Sequence, residues 1–161
     1  MKTRMFVMAA LAIVCTGCCE SNRETAFRLA DAVVVTAKCA GERERGALAS
    51  AAADLTNVIF RKTGHLSPIC ERAPADAKAA IYVGEAAIAE SHADVSSLRF
   101  GDWRVKVEPG KVFLLGRTPL AVNAAMVEFA ARFCDYHFIT VDGSDPCTVE
   151  PGLSVPVCDI T

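Results

Sequence analysis

Long apolar runs, a dominant charge sign and catalytic signatures are all scarce in this chain, and each shortage narrows its chemistry. The apolar stretch Met5 to Val14 falls short of the ~20 residues that a helix needs to cross a bilayer. The formal net charge is only −2 at pH 7, with no basic cluster and no acidic tail. A protein that must neutralise many phosphates is built otherwise, so nucleic acid is excluded as a partner. There is no Gly-rich phosphate loop, no Gly-x-Ser-x-Gly elbow and no His-Glu-x-x-His. Aromatics that could stack on sugar rings are few. Trp103, Tyr82 and Tyr136 are the candidates, and each lies in or beside a segment patterned like core. The run Cys134-Asp135-Tyr136-His137 with Cys147 and Cys158 lacks the paired short spacings of a zinc site. A buried thiol is the expectation for Cys134. No catalytic residue, metal site or cofactor is assigned on these grounds. The carboxylates of Asp142, Asp145 and Glu150, and those of Glu85 and Glu90, read as solvated surface.

What the sequence does contain is an export signal. Lys2 and Arg4 precede the short apolar stretch, the pattern of a basic n-region and an h-region. Cys15-Thr16-Gly17-Cys18-Cys19 follows, and small residues before a cysteine resemble the bacterial lipobox. Residues 1–17 are therefore expected to be a signal peptide. Cys18 is the expected lipidation site, and residues 18–24 form a tether. Acyl chains contribute ~0.8 kcal/mol per buried methylene, which would hold the mature protein on a bacterial envelope membrane. The alternative is ordinary cleavage and release into the periplasm or medium. Export permits disulfides. Cys147 with Cys158 could staple a C-terminal loop, and Cys39 with Cys70 could join two strand ends; connectivity cannot be read from sequence.

Residues 25–161 are enough for one domain with one real core. The β-branched run in Ala32-Val33-Val34-Val35-Thr36 predicts a strand buried on both faces. Glu42 to Thr63 predicts a long helix. Leu48, Ala51, Ala52, Leu55, Val58 and Ile59 fall on its buried side, Arg45, Thr56, Asn57 and Arg61 lie off it, and Gly64 is its left-handed stop. Leu66 to Ile69 and Ala79 to Val83 predict two strands, and Glu85 to Leu98 holds one short helix. Trp103 to Leu115 predicts a hairpin turning at Pro109-Gly110, its first strand wet on one face. Thr118-Pro119 starts a second long helix, with Val122, Ala125, Met126, Phe129, Ala130 and Phe133 buried and Glu128 paired to Arg132. His137 to Val141 predicts a strand, and Leu153 to Val155 a short one. The fold class that follows is α/β (α+β): a mixed β-sheet with two principal helices packed on it.

These elements, in this order, resemble the N-terminal domain that precedes the catalytic barrel in family-67 α-glucuronidases and family-20 β-hexosaminidases. The resemblance rests on a helix ending in Thr63-Gly64, the strand Ile81-Tyr82-Val83-Gly84, and Gly101-Asp102. It continues through Gly110-Lys111, Leu115-Gly116, Thr118-Pro119 and Val127-Glu128-Phe129, with Phe133, Tyr136 and Phe138 after them. It covers about residues 25 to 150. Asn123-Ala124-Ala125 departs from the Gly or Tyr-Gly common there. In those enzymes the catalytic carboxylates belong to the barrel, which needs ~250 residues. The resemblance implies an accessory domain and transfers no catalytic residue. Its expected partners are a glycan or an envelope protein. The alternative is a fragment of a carbohydrate-degrading hydrolase that lacks its barrel.

Overall fold

The computed structural model describes residues 25–37, 41–136 and 148–161. Ala32–Thr36 (β2) is the strand its β-branched run demands, with Val34 facing one core and Val33 and Val35 the other. It lies parallel to Ile69–Cys70 (β3) on one side and to Ala79–Val83 (β4) on the other. Beyond β4 comes Lys111–Gly116 (β6), also parallel, then Trp103–Glu108 (β5), antiparallel to β6 through the hairpin. Gly110 holds the turn at φ 73°, a conformation that a side chain would resist. Cys158–Ile160 (β8) completes a six-stranded mixed sheet of order β3-β2-β4-β6-β5-β8. Thr25–Arg28 (β1) and Ser154–Pro156 (β7) form a separate antiparallel ribbon.

Two long helices cover one face. Glu42–Thr63 (α1) ends where Gly64 takes φ 74°, and the Gly64 N–H donates to the Phe60 carbonyl. Pro119–Cys134 (α3) begins at Thr118, whose Oγ1 accepts the Ala121 N–H at 3.2 Å. Leu48, Leu55, Ile59, Val122, Met126 and Phe129 pack down on Val34, Ile81, Leu114, Val105 and Val107. Phe27 and Val155 from the ribbon, and Leu29 from the turn after β1, join that same core. On the other face, among the described residues, the seven-residue helix Glu85–Ser91 (α2) lies over Val33, Val35, Tyr82, Phe113 and Leu115. Burial at ~25 cal/mol per Å² of apolar surface drives this arrangement, and the larger share of it lies under α1 and α3. The fold is α/β with a mixed sheet and two principal helices.

Several expectations need correction. Thr56 is buried, because its Oγ1 donates to the Ala53 carbonyl at 2.8 Å and so hides its polarity within the helix. Phe133 is only half-buried; it leans on Phe129 from the rim of the core. The strand expected from Leu66 begins at Ile69, for Leu66 is 69% exposed and Pro68 has no N–H to give a ladder. The wet face of β5 is half-buried at Arg104, Lys106 and Glu108. There β8 pairs along the strand, and Arg104 donates to Asp159 from Nε, at 2.7 Å, and from Nη2. The strand expected at His137 to Val141 lies outside the described residues.

Candidate functional site

The carboxyl ends of parallel strands are where an open α/β sheet gathers loops and helix starts, and ligands favour that crevice. Here Gly84 follows β4 as the cap of α2, and β6 ends in Gly116, two residues before the α3 cap Thr118. Gly84 sits at φ 60°, and a Cβ there would come within 3.2 Å of the Leu48 side chain. At Gly116 a Cβ would stand 2.7 Å from that of Ala121 and 2.8 Å from the Val122 nitrogen. Both glycines therefore let helices approach the strand ends more closely than any other residue would. The result is a cleft of about 240 Å³ between the first turns of α1, α2 and α3.

Glu44 and Glu85 bring carboxylates to this cleft, Arg117 a guanidinium, and Leu48, Ile88, Val95 and Val122 its apolar walls. Glu44 folds toward the α1 start, with Oε2 3.2 Å from where a Gly41 Cβ would stand. Arg117 is also tied outward, donating from Nη1 to the Leu98 carbonyl at 3.2 Å. Thr118 Oγ1 is 3.4 Å from the Phe100 carbonyl. The loop around Leu98 to Trp103 is thus fastened to the residues that close the cleft. On its far side lies a second groove of about 350 Å³, lined by Leu98, Gly101, Asp102, Trp103 and Thr161. The arrangement offers hydrogen-bonding acids and a cation beside apolar surface, which suits binding of a small polar molecule.

The three aromatics singled out in the sequence separate cleanly. Tyr82 is buried and stacked on Phe113, ring centroids 5.6 Å apart, and burial pushes its hydroxyl pKa up. Tyr136 lies under the Arg61 guanidinium at 6.0 Å. Trp103 packs partly on the core and also lines the second groove. Phe100 was missed: it is 75% exposed, and Arg99-Phe100-Gly101-Asp102 has no periodicity to flag it. Glu44 and Arg117 were missed as cleft residues too, since only the topology brings them together.

The remaining sites fall as follows. Cys18, Cys39, Cys147, Asp142 and Asp145 lie outside the described residues. Cys70 sits at one sheet edge, its Sγ 3.6 Å from the Val34 carbonyl, and burial pushes the thiol pKa up. Cys158 stands in β8 at the opposite edge, so these two are not partners of one another. Cys134 is buried beneath the end of α3. Glu90 pairs with Lys111 at 2.6 Å, Glu150 is exposed, and Glu85 belongs to the cleft. Among the described residues no group of three His, Cys, Asp or Glu side chains is placed to hold a metal ion. Comparison with protein-family models and with curated protein sequences finds no match.

Proposed function

We propose that this chain is an exported accessory domain of glycoside-hydrolase type, lipid-anchored through Cys18, that binds carbohydrate or a partner protein at the bacterial envelope without catalysing hydrolysis. One observation supports the reading above others. The residues that carry the resemblance occupy element boundaries with architectural tasks. Gly64 stops α1 in the left-handed region, Gly84 and Gly116 admit helices to strand ends, Gly110 makes the hairpin turn, and Thr118 caps α3. Motifs used this way specify a scaffold, so what passes between relatives is a domain and not a reaction.

The test is enzymatic. The purified full chain should give no turnover of aryl-glucuronide or aryl-hexosaminide substrates above a denatured control. Turnover abolished by Glu44→Gln or Glu85→Gln in the cleft, or by Asp142→Asn or Asp145→Asn, would overturn the accessory reading. Glycoside hydrolysis needs two such carboxylates facing one bond.

A further inference from the structure

The cleft at the carboxyl ends of β4 and β6 is graded from apolar to charged. Of its lining residues, Leu48 and Val122 are buried, Ile88 and Val95 half-buried, and Glu44, Glu85 and Arg117 exposed. A Cβ on Gly84 would stand 3.2 Å from Leu48 Cδ1 and 3.8 Å from Val122 Cγ2, so the missing side chain leaves room between these two apolar walls. At about 240 Å³ the cleft is smaller than the ~300–1,000 Å³ of sites for drug-sized ligands, and it fits one small unit. Its charges are not equally committed. Glu44 is folded back beside Gly41 at the start of its own helix. Arg117 gives Nη1 to the Leu98 carbonyl, which fixes the guanidinium at the cleft, while Nε and Nη2 donate to nothing among the described residues. Glu85 enters no hydrogen bond or ion pair among those residues, and although it lines the same cleft as Arg117 the two do not pair with one another.

We propose that this cleft binds one aliphatic α-amino acid as its zwitterion, the carboxylate on Arg117, the ammonium on Glu85 and the side chain between Leu48, Val122, Ile88 and Val95. The inference goes beyond the accessory reading and does not depend on it. An acid and a base that share a cleft without pairing present opposite charges to whatever enters. A simple anion would meet Glu85 as a like charge, and a simple cation would meet Arg117. A neutral ligand would strip water from both and replace it with weaker partners. A zwitterion complements the two at once, with the guanidinium fork matched to a carboxylate. The apolar walls then choose among amino acids, since a charged or amide side chain carried against Leu48 and Val122 finds no hydrogen bond there. The hold of Leu98 on Arg117 also helps, because a guanidinium already fixed loses little freedom when a ligand arrives.

The full chain, labelled with nitrogen-15 and held in detergent micelles, is titrated with L-leucine and followed by its amide chemical shifts. Saturable shifts at Gly84, Glu85, Gly116 and Arg117 are the expected result, with none at Ile69 and Cys70 on the far sheet edge. L-Leucinamide lacks the carboxylate and N-acetyl-L-leucine lacks the ammonium. Each should bind about fivefold more weakly, the scale of one partly exposed charge pair. L-Glutamate should give no saturable shift. The variants must match the ligands. Arg117→Gln should bind L-leucine about fivefold more weakly but leave L-leucinamide unchanged, and Glu85→Gln should do the same for L-leucine and N-acetyl-L-leucine. Both side chains are exposed, so amide shifts away from the cleft should stay as in the wild type. Absence of saturable shifts with L-leucine overturns the proposal. So does equal affinity for L-glutamate or L-leucinamide, an outcome read on the unaltered chain and independent of how either variant folds. Undiminished binding of L-leucine by both variants would likewise place the amino acid elsewhere. None of these outcomes touches glycoside turnover, so the accessory reading stands or falls on its own assay.

Discussion

Phe129 is fully buried in α3, its ring 5.2 Å from that of Phe133, and it belongs to the core that joins both long helices to the sheet. Truncating such a ring removes its transfer free energy and leaves a hole that close-packed neighbours fill only in part. Phe129→Ala should therefore lower the unfolding free energy by about 3–5 kcal/mol, read by urea denaturation followed by circular dichroism. A loss below ~1 kcal/mol would mean that the ring is not enclosed in solution. Its neighbour shows why position along a stripe is not enough. Phe133 falls on the same helical face, yet α3 ends one residue later and the side chain stays half-buried at the rim. Thr56 is the reverse case: a polar residue off the apolar stripe that goes inside because its hydroxyl finds a carbonyl three residues back.

At the scale of elements, β8 joins the sheet through three residues paired with Val105, Lys106 and Val107 of β5. The Arg104–Asp159 bridge clamps it there, and the hydrogen bond from Arg104 holds the Asp159 pKa below its ordinary value. A folded pKa below the unfolded one stabilises the fold above the unfolded value, about pH 4, and that contribution fades as pH falls through the folded value. With side chains 36% and 43% exposed, solvent screening keeps the bridge near about 0.5–1 kcal/mol. Asp159→Asn should cost that much at pH 7, and the gap between variant and wild type in urea midpoints should close as acid protonates Asp159. A gap that stays constant down to pH 2 would assign the loss to something other than charge. β8 also marks how far the sequence could be read. Glu42–Thr63 and Ala79–Val83 have the bounds that periodicity and flanking glycines predict, because local pattern and tertiary burial agree there. β8 and β1 are three and four residues of unremarkable pattern whose partners lie far along the chain, so nothing local announces them. The cleft was illegible for the same reason: Glu44, Glu85 and Arg117 meet only once the strand order is known.

For the whole molecule, the decisive relation is between the two ends of the sheet. β1 leads through a turn at Leu29–Asp31 into the amino end of β2, and β7 leads into the start of β8 beside Val107, near the hairpin turn. The chain therefore enters at the amino ends of the parallel strands, whereas the cleft and the Phe100 loop stand at the carboxyl ends. Residues 19–24 separate Cys18 from Thr25, a reach of at most about 25 Å. An acyl group on Cys18 would thus tie the domain to a membrane by the end opposite its clefts, leaving them turned toward whatever the envelope presents. Cys18→Ser should move the natively expressed protein from the membrane pellet to the soluble fraction and abolish incorporation of an alkyne-labelled fatty acid. Its unfolding midpoint should not change, since the tether precedes the first strand. Intact-mass spectrometry of the native protein decides the matter independently: an acylated Cys18 at the mature N-terminus is expected. An unmodified Cys18, or cleavage elsewhere with full release, would replace the anchored domain by a freely diffusing one and remove the orientation argument with it.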